Sequence, residues 1–399
     1  MTDHLHPETT AIRGGRRPGE TSLAPVIYPS STFTTESVAD ARQQATSVAP
    51  SRFYTRYGNP TVADFESVIA ELEGAEAARA YASGMGAVSG IILALCSSGD
   101  HVVAQRQLYS GTQLLFQAVC PRFGIDVTFV DGTDPDAWAA AVIPGRTQVV
   151  WAETPANPKL DLVDLDALGA IKGPMKVVDS TFATPLGQQP LRHGADLVLH
   201  SATKGIAGHN DATLGVVAGS ADLIQWLYGF AILQGATASA YDAANALRGV
   251  RTLPARLHRQ CETAQRLAEA LEADDRVTEV RFPGLASHPQ HGLVERQMRL
   301  PGSQISFDVQ PAGEASADEV GARFVESVEV AFMAPSLGGP ETLVTHPAST
   351  THVGLLPEEL AANGIGPGTI RVSVGLEHPD DVLADFDQAL THATKGSTR

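Results

Sequence analysis

Lys204 follows the apolar run Leu197-Val-Leu-His200 and stands beside two hydroxyls, Ser201 and Thr203. A lysine amine in that setting is a candidate Schiff-base former. It can bond an aldehyde while the neighbouring hydroxyls hold a phosphate, and these are the two anchors that pyridoxal phosphate (PLP) requires. A lone Ser-x-Thr-Lys string is common on ordinary surfaces, so the other groups must be sought upstream. Asp179 ends the apolar run Val177-Val178, 204 − 179 = 25 residues before the lysine. A carboxylate facing the pyridine nitrogen keeps it protonated, which the electron-sink chemistry of PLP needs. Further upstream, Ser83-Gly84-Met85-Gly86 precedes an apolar helical stretch. Its backbone N–H groups form a candidate anion nest at a helix N-terminus. Each feature has an ordinary reading too: Asp179 as a turn or cap, the glycines as a tight turn. A dinucleotide fingerprint is disfavoured, because Ser89 stands where Gly-x-Gly-x-x-Gly needs its third glycine.

Strands must deliver these groups. Apolar runs at Val102–Ala104, Val127–Val130, Val149–Ala152, Val177–Asp179, Leu197–His200 and Leu214–Ala218 alternate with helix-length segments. This order predicts an α/β fold with a mostly parallel sheet wrapped by helices and ligands at the strands' carboxyl ends, where Asp179 and Ser201 fall. Residues 1–57, rich in Pro, Ser and Thr, read as an arm with little core of its own. Residues 58–257 read as the cofactor-binding domain. The helical stretch Leu257–Ala273 then hands over to a smaller C-terminal α/β domain, 258–399.

Over nearly its whole length the chain resembles the Cys/Met-metabolism family of PLP enzymes: cystathionine γ-synthases and γ-lyases, methionine γ-lyases and O-acylhomoserine sulfhydrylases. The likeness rests on the lysine motif and on ordered matches at Tyr54-Thr-Arg56-Tyr-Gly-Asn-Pro60, Tyr81-Ala-Ser-Gly-Met-Gly-Ala87, Glu153-Thr-Pro-Ala-Asn-Pro158, Asp179-Ser-Thr-Phe-Ala-Thr-Pro185, Ser336-Leu-Gly-Gly-Pro-Glu-Thr342, His346-Pro-Ala-Ser-Thr-Thr-His352 and Ile370-Arg-Val-Ser-Val-Gly375. The resemblance implies the aminotransferase-like fold of PLP enzymes (fold type I). It implies Lys204 as the lysine that bonds the cofactor, Asp179 as the partner of the ring nitrogen, and Gly84, Met85, Ser201 and Thr203 as phosphate ligands. Tyr109 is implied as the ring stacked on the cofactor, and Asn157 as the neighbour of its phenolic oxygen. Ser336 and Arg371 match positions that grip the substrate α-carboxylate, a task suited to a planar guanidinium with two parallel donors. Tyr54 and Arg56 match a pair that reaches the phosphate of the neighbouring subunit. The expected assembly is therefore a homotetramer built from dimers that share active sites.

Composition restricts the alternatives. With 399 residues, 43% hydrophobic and 18% charged, the chain suits a two-domain enzyme. A net charge of −17 disfavours nucleic acid or an anionic membrane as partner. Met1–Glu20 is polar and has no apolar core segment, so cytoplasmic residence is expected. The uncharged run Ala80–Gly99 is broken by glycine and serine and reads as a buried helix, not a membrane span. Cys96, Cys120 and Cys261 lack paired spacing and read as reduced, buried thiols. His288, His291 and His346 lack Cys or carboxylate partners at ligand spacing, and no metal is expected.

The implied chemistry starts with Lys204, freed by the substrate's amino group, taking the α-proton, with Tyr109 exchanging a proton near the leaving group. The expected function is that of a PLP-dependent carbon–sulfur γ-lyase on methionine-like or cystathionine-like amino acids, giving α-keto acid, ammonia and thiol. The alternative is a γ-replacement enzyme, a cystathionine γ-synthase or O-acylhomoserine sulfhydrylase. Methionine γ-lyases typically carry Cys in the segment matching Tyr109-Ser110-Gly111-Thr112, whereas Gly111 follows the cystathionine enzymes. Leu114, where some cystathionine-handling relatives place a charge, suits a substrate without one, and Glu341–Gly375 looks closest to the γ-lyases. Two departures stand out: Gly205 after the lysine, where the family usually has a bulky side chain, and Ala240-Tyr241-Asp242, which lacks a common proline. Both are expected to widen the substrate pocket. A cofactor-free binding protein and a nicotinamide dehydrogenase are the readings from other classes, disfavoured because every PLP anchor is present.

Overall fold

The structure, a computed structural model, describes residues 5–395. Seven strands form the larger sheet: β1 (Ala77–Tyr81), β2 (His101–Gln105), β3 (Asp126–Val130), β4 (Thr147–Glu153), β5 (Met175–Asp179), β6 (Leu197–His200) and β7 (Gly215–Gly219). Their order is β1-β7-β6-β5-β4-β2-β3. Strands β6, β5, β4, β2 and β3 run parallel, and β7 is antiparallel to both β1 and β6. Helices cover both faces, so β2, β6 and β7 are buried along their whole length and read as continuous apolar runs without alternation. The six runs expected from sequence all fall on strands, with β7 displaced by one residue. Strand β1 was not anticipated. Its sequence Ala-Ala-Arg-Ala-Tyr has no β-branched residue. Its buried Arg79 is accommodated by Glu66 at 3.5 Å and by the Tyr228 ring at 5.1 Å.

The chain passes from β2 outward to β3 and then returns to place β4 on the other side of β2. That reversal opens a crevice beyond the carboxyl ends of β2 and β4, the position where open α/β sheets bind ligands. Tyr109 follows β2, while Glu153 and Asn157 lie at and after the end of β4.

A second, five-stranded sheet comprises β8 (Val277–Arg281), β9 (Gln304–Val309), β10 (Phe332–Met333), β11 (Leu343–Thr345) and β12 (Thr369–Ser373), in the order β10-β11-β12-β9-β8. Arg371 sits on the central strand of this sheet. The helix Ala240–Glu272 joins the two parts. Its first half packs Ala243, Leu247, Val250, Leu253 and Leu257 into a core shared with Phe65 and Ile69. Its second half packs Ala264, Leu267 and Leu271 against Phe282, Ile305 and Phe307. The helical stretch expected from Leu257 therefore begins 17 residues earlier, at Ala240 (257 − 240 = 17). The boundary expected at 257/258 falls inside this helix, whose packing partner changes between Cys261 and Ala264.

Of the described N-terminal residues, the helix Val38–Thr46 buries none of its side chains. The segment is tied down by Arg17 on Asp64 at 2.9 Å and by Thr61, whose hydroxyl donates to Val26 O. Among the described residues no helix is long and apolar enough to cross a membrane. The uncharged run Ala80–Gly99 supplies the helix Gly84–Leu95. Cys96, Cys120 and Cys261 are free and buried, and burial raises the thiols to about 12, 11 and 11.

Candidate active site

A cavity of about 350 Å³ opens at the carboxyl edge of the larger sheet. Strand β1 leads into the helix Gly84–Leu95, whose N-cap Ser83 accepts a hydrogen bond from Gly86 N at 3.0 Å. The amides of Gly84 and Met85, in the first turn, are left for an external acceptor, which makes an anion site. Glycine is required at 84 because a Cβ there would come within 2.9 Å of Ser201 Cβ. Ser201, just after β6, therefore faces the same helix end, and Thr203 lines the same cavity, its hydroxyl donating to Leu214 O at 3.2 Å and accepting from Leu214 N at 2.9 Å.

Asp179, the last residue of β5, is buried. Thr181 donates to its Oδ1 from both N, at 3.0 Å, and Oγ1, at 2.5 Å. Oδ2 has no protein donor among the described residues and is left to the cavity. Burial raises the proton affinity of this carboxyl; the Thr181 bonds and the charge of His200 oppose the rise. An incoming cation would relieve that penalty.

The Lys204 amine donates to Ser336 Oγ at 2.9 Å. Burial lowers its pKa below the ordinary lysine value, and the charge of Arg371 lowers it further. Both effects favour the neutral, nucleophilic amine. Ser336 is held at φ 94°, in the left-handed region that disfavours a side chain. Its carbonyl accepts from Arg371 Nη2 at 2.9 Å, and Arg371 Nη1 donates to Asn157 Oδ1 at 3.1 Å. Arg371 Nε is buried with no partner among the described residues, a donor available to a substrate oxygen. Burial lowers this guanidinium to about 10. The loop that carries Lys204 is fixed from below by the buried Arg256, which donates to Gly205 O at 2.9 Å and Ile206 O at 3.3 Å.

The cavity thus brings together Gly84, Met85, Tyr109, Asn157, Asp179, Ser201, Thr203, Lys204, Ser336 and Arg371. It does not include Tyr54 or Arg56. Arg56 lies 5.5 Å from the Tyr54 ring and donates to Ile232 O at 2.7 Å, while Tyr54 is exposed. Leu114 is exposed and also lies outside the lining, so it does not shape the cavity's distal end within one subunit. Gly205 corrects another expectation. A Cβ there would point to Thr184 Cγ2 at 3.1 Å, and neither residue lines the cavity, so this glycine does not widen it.

Several lining residues carried no sequence-based role. Glu153 accepts Tyr109 N at 2.8 Å and Asn157 N at 2.9 Å. Burial, and then the charge of Asp179, raise its carboxyl to about 8. Phe182, Pro335 and Leu337 give the cavity apolar walls, and Thr351 contributes a hydroxyl. Thr181 was legible as the Thr of an Asp-x-Thr turn, and Glu153 as a carboxylate ending an apolar run. No group of three or more His, Cys, Asp or Glu side chains suited to a metal ion occurs among the described residues.

The donor set fits PLP on this geometry. A helix end and two hydroxyls would hold its phosphate, a buried carboxylate with one open oxygen its ring nitrogen, and an amine of lowered basicity its aldehyde.

Comparison with known proteins bears on the same point. The family described as Cys/Met metabolism PLP-dependent enzyme matches residues 8–391. An O-succinylhomoserine sulfhydrylase of Pseudomonas aeruginosa is 41% identical over 387 residues, covering 96% of this chain and 94% of that protein. An L-methionine gamma-lyase of Porphyromonas gingivalis is 41% identical over 389 residues, 96% of each. The crystal structure of a cystathionine gamma synthase from Xanthomonas oryzae pv. oryzae, in complex with cystathionine, superposes with a TM-score of 0.90 at 38% identity, covering 98% of this chain and 99% of that one.

Proposed function

Because the chain belongs to the Cys/Met-metabolism PLP-dependent enzymes, we propose that it is a carbon–sulfur γ-lyase of methionine-like or cystathionine-like amino acids. The balanced reaction takes a γ-thioether amino acid and water to an α-keto acid, ammonia and a thiol. One observation carries the reading: an amine of lowered basicity, a buried carboxylate with one open oxygen and a fork-shaped cation face one cavity with apolar walls. When bound, PLP supplies an electron sink for negative charge developing at the substrate α-carbon.

In this reading Lys204, Asp179, Tyr109, Asn157, Ser201, Thr203 and the amides of Gly84 and Met85 hold the cofactor. Arg371, with Ser336 and Asn157, orients the substrate carboxylate. Lys204 Nζ removes the α-proton and later returns protons toward the carbon chain, and its lowered basicity suits it to work near neutral pH. Asp179 holds a proton on the ring nitrogen, since a buried carboxylate with one oxygen still open gains much from a facing cation. Tyr109, half exposed at the cavity mouth, moves a proton at the departing sulfur. Met85, Phe182 and Leu337 exclude water around an apolar thioether tail.

Tyr54 and Arg56, away from their own subunit's cavity, contact the phosphate bound by a neighbour. The domains are an arm at 1–57, a cofactor-binding domain at 58–257 and a small domain at 258–399. The exposed Trp226 and Leu233 support burial in an assembly, which we take to be a homotetramer. Three reduced, buried cysteines support a cytoplasmic setting.

A second reading is γ-replacement, favoured by Gly111 and by the likeness to the sulfhydrylase and the γ-synthase. The decisive experiment offers the purified protein methionine, cystathionine and O-acylhomoserine, each with and without added thiol. Keto-acid release without thiol supports the lyase; thioether formation as the only outcome overturns it. Borohydride trapping must also label Lys204, and an active protein unlabelled at that residue would sink both readings.

A further inference from the structure

Glu153 and Asp179 are register partners at the ends of β4 and β5, so two buried carboxylates enter the cavity side by side. Their surroundings differ. Asp179 Oδ2 is left open, whereas both oxygens of Glu153 are engaged by main-chain amides. Oε2 accepts Tyr109 N, which follows β2, and Oε1 accepts Asn157 N, beyond the end of β4. The Glu153 backbone is itself fixed by the Gln105 side chain, which donates to Glu153 O at 2.8 Å and accepts from Glu153 N at 3.0 Å. One side chain therefore spans the crevice where the strand order reverses.

We propose that Glu153 is a positioning residue that sets the Tyr109 ring and the Asn157–Arg371 pair as one unit. This rests on the assignment of Tyr109 and Asn157 to the cofactor and of Arg371 to the substrate carboxylate. From Glu153 the bonds run without a gap through Asn157 to Arg371, from Arg371 to Ser336 O, and from Ser336 Oγ to Lys204 Nζ. Displacing Asn157 would therefore disturb the carboxylate grip and the seat of the lysine together. Apart from its carbonyl, which accepts from Gln113 N at 3.0 Å, Tyr109 has no other hydrogen bond among the described residues. Its ring is 44% exposed and lies over Gly111, where a Cβ would meet Tyr109 Cε1 at 2.6 Å. Its backbone amide is the handle by which the protein fixes it.

Glu153→Gln is the informative variant. The amide keeps one acceptor and turns a donor toward the other N–H, so one of the two links becomes a donor–donor contact. In the full-length, cofactor-loaded enzyme above about pH 8, where Glu153 is ionised and accepts through both oxygens, hydrogen exchange should rise by about tenfold or more in the peptides carrying the Tyr109 and Asn157 amides, while β5 and β6 keep wild-type protection. The circular dichroism of the bound cofactor should fall, because the stacked ring loses its fixed orientation. The effects of Glu153→Gln and Asn157→Ala on kcat/KM should be strongly non-additive, the second costing little once the first is present. Wild-type exchange at either amide, or additive kinetic effects, would overturn the proposal. Should the Gln variant not fold, Glu153→Asp, which draws the same carboxylate back by one methylene, carries the same three measurements. The exchange result does not depend on which substrate is used, so it stands apart from the choice between lyase and replacement chemistry.

Discussion

Replacing Arg371 by lysine isolates the value of a planar fork in the cavity. Arg371 is 3% exposed on the central strand of the smaller sheet, and two of its nitrogens are committed, to Asn157 Oδ1 and Ser336 O. Its buried Nε has no partner among the described residues and is poised for a carboxylate oxygen. A lysine ammonium has three donors on one atom, so it cannot keep both protein bonds and also offer two parallel donors to substrate. The loss is at least one charge-assisted hydrogen bond, about 1.5–3 kcal/mol, or about 10- to 150-fold in kcat/KM. The assay compares methionine with methioninol, which keeps the amino group and thioether but has no carboxylate. Arg371→Lys should lose its catalytic efficiency on methionine and little of its weaker reaction with methioninol, while the visible spectrum of the bound cofactor stays unchanged. Equal losses on both compounds, or full activity on methionine, would refute the assignment of Arg371 to the α-carboxylate.

Asp179→Asn should stabilise the protein freed of its cofactor: burial raises the folded-state pKa of Asp179 above its unfolded value, so ionisation penalises the fold. The gain, a few degrees in melting temperature near neutral pH, should vanish as pH falls below the ordinary carboxylate range, and a gain that persists there would contradict the electrostatic cause. Gly111→Ala puts a Cβ 2.6 Å from the Tyr109 ring and 3.3 Å from Met85 Sδ, so near-ultraviolet circular dichroism and kcat should change while melting temperature barely moves. Ser336→Gly relieves a side chain held at φ 94°, worth about 1 kcal/mol of stability, yet removes the acceptor of Lys204; a higher melting temperature with lower activity is expected.

The larger sheet was legible mainly because β2, β6 and β7 are buried on both faces and so appear as nearly uninterrupted apolar runs. Strand β1 was hidden by its alanines and a buried arginine, whose tolerance depends on Glu66 in the preceding helix and on Tyr228, far along the chain. Lys204, Asp179 and the Ser83–Gly86 turn were visible because each follows a local rule: a residue at a strand end or a helix cap. The bonds of Glu153 to Tyr109 N and of Arg256 to Gly205 O were not visible, since they run to backbone atoms of distant segments. Gly205 was misjudged for the same reason: the direction a Cβ would take there is set by tertiary packing, and Thr184, which it would meet, does not line the cavity.

The helix Ala240–Glu272 belongs to both hydrophobic cores and carries Arg256 near its middle, two residues beyond Pro254. It thus acts as a lever on the lysine loop. Any tilt of the smaller sheet about this shaft must drag the guanidinium that clasps the carbonyls of Gly205 and Ile206. The smaller sheet also bears Arg371, so if that arginine grips the substrate carboxylate as proposed, a pull on it would reach the loop bearing Lys204. Seizing the amino acid and adjusting the amine that attacks it would then be a single mechanical event.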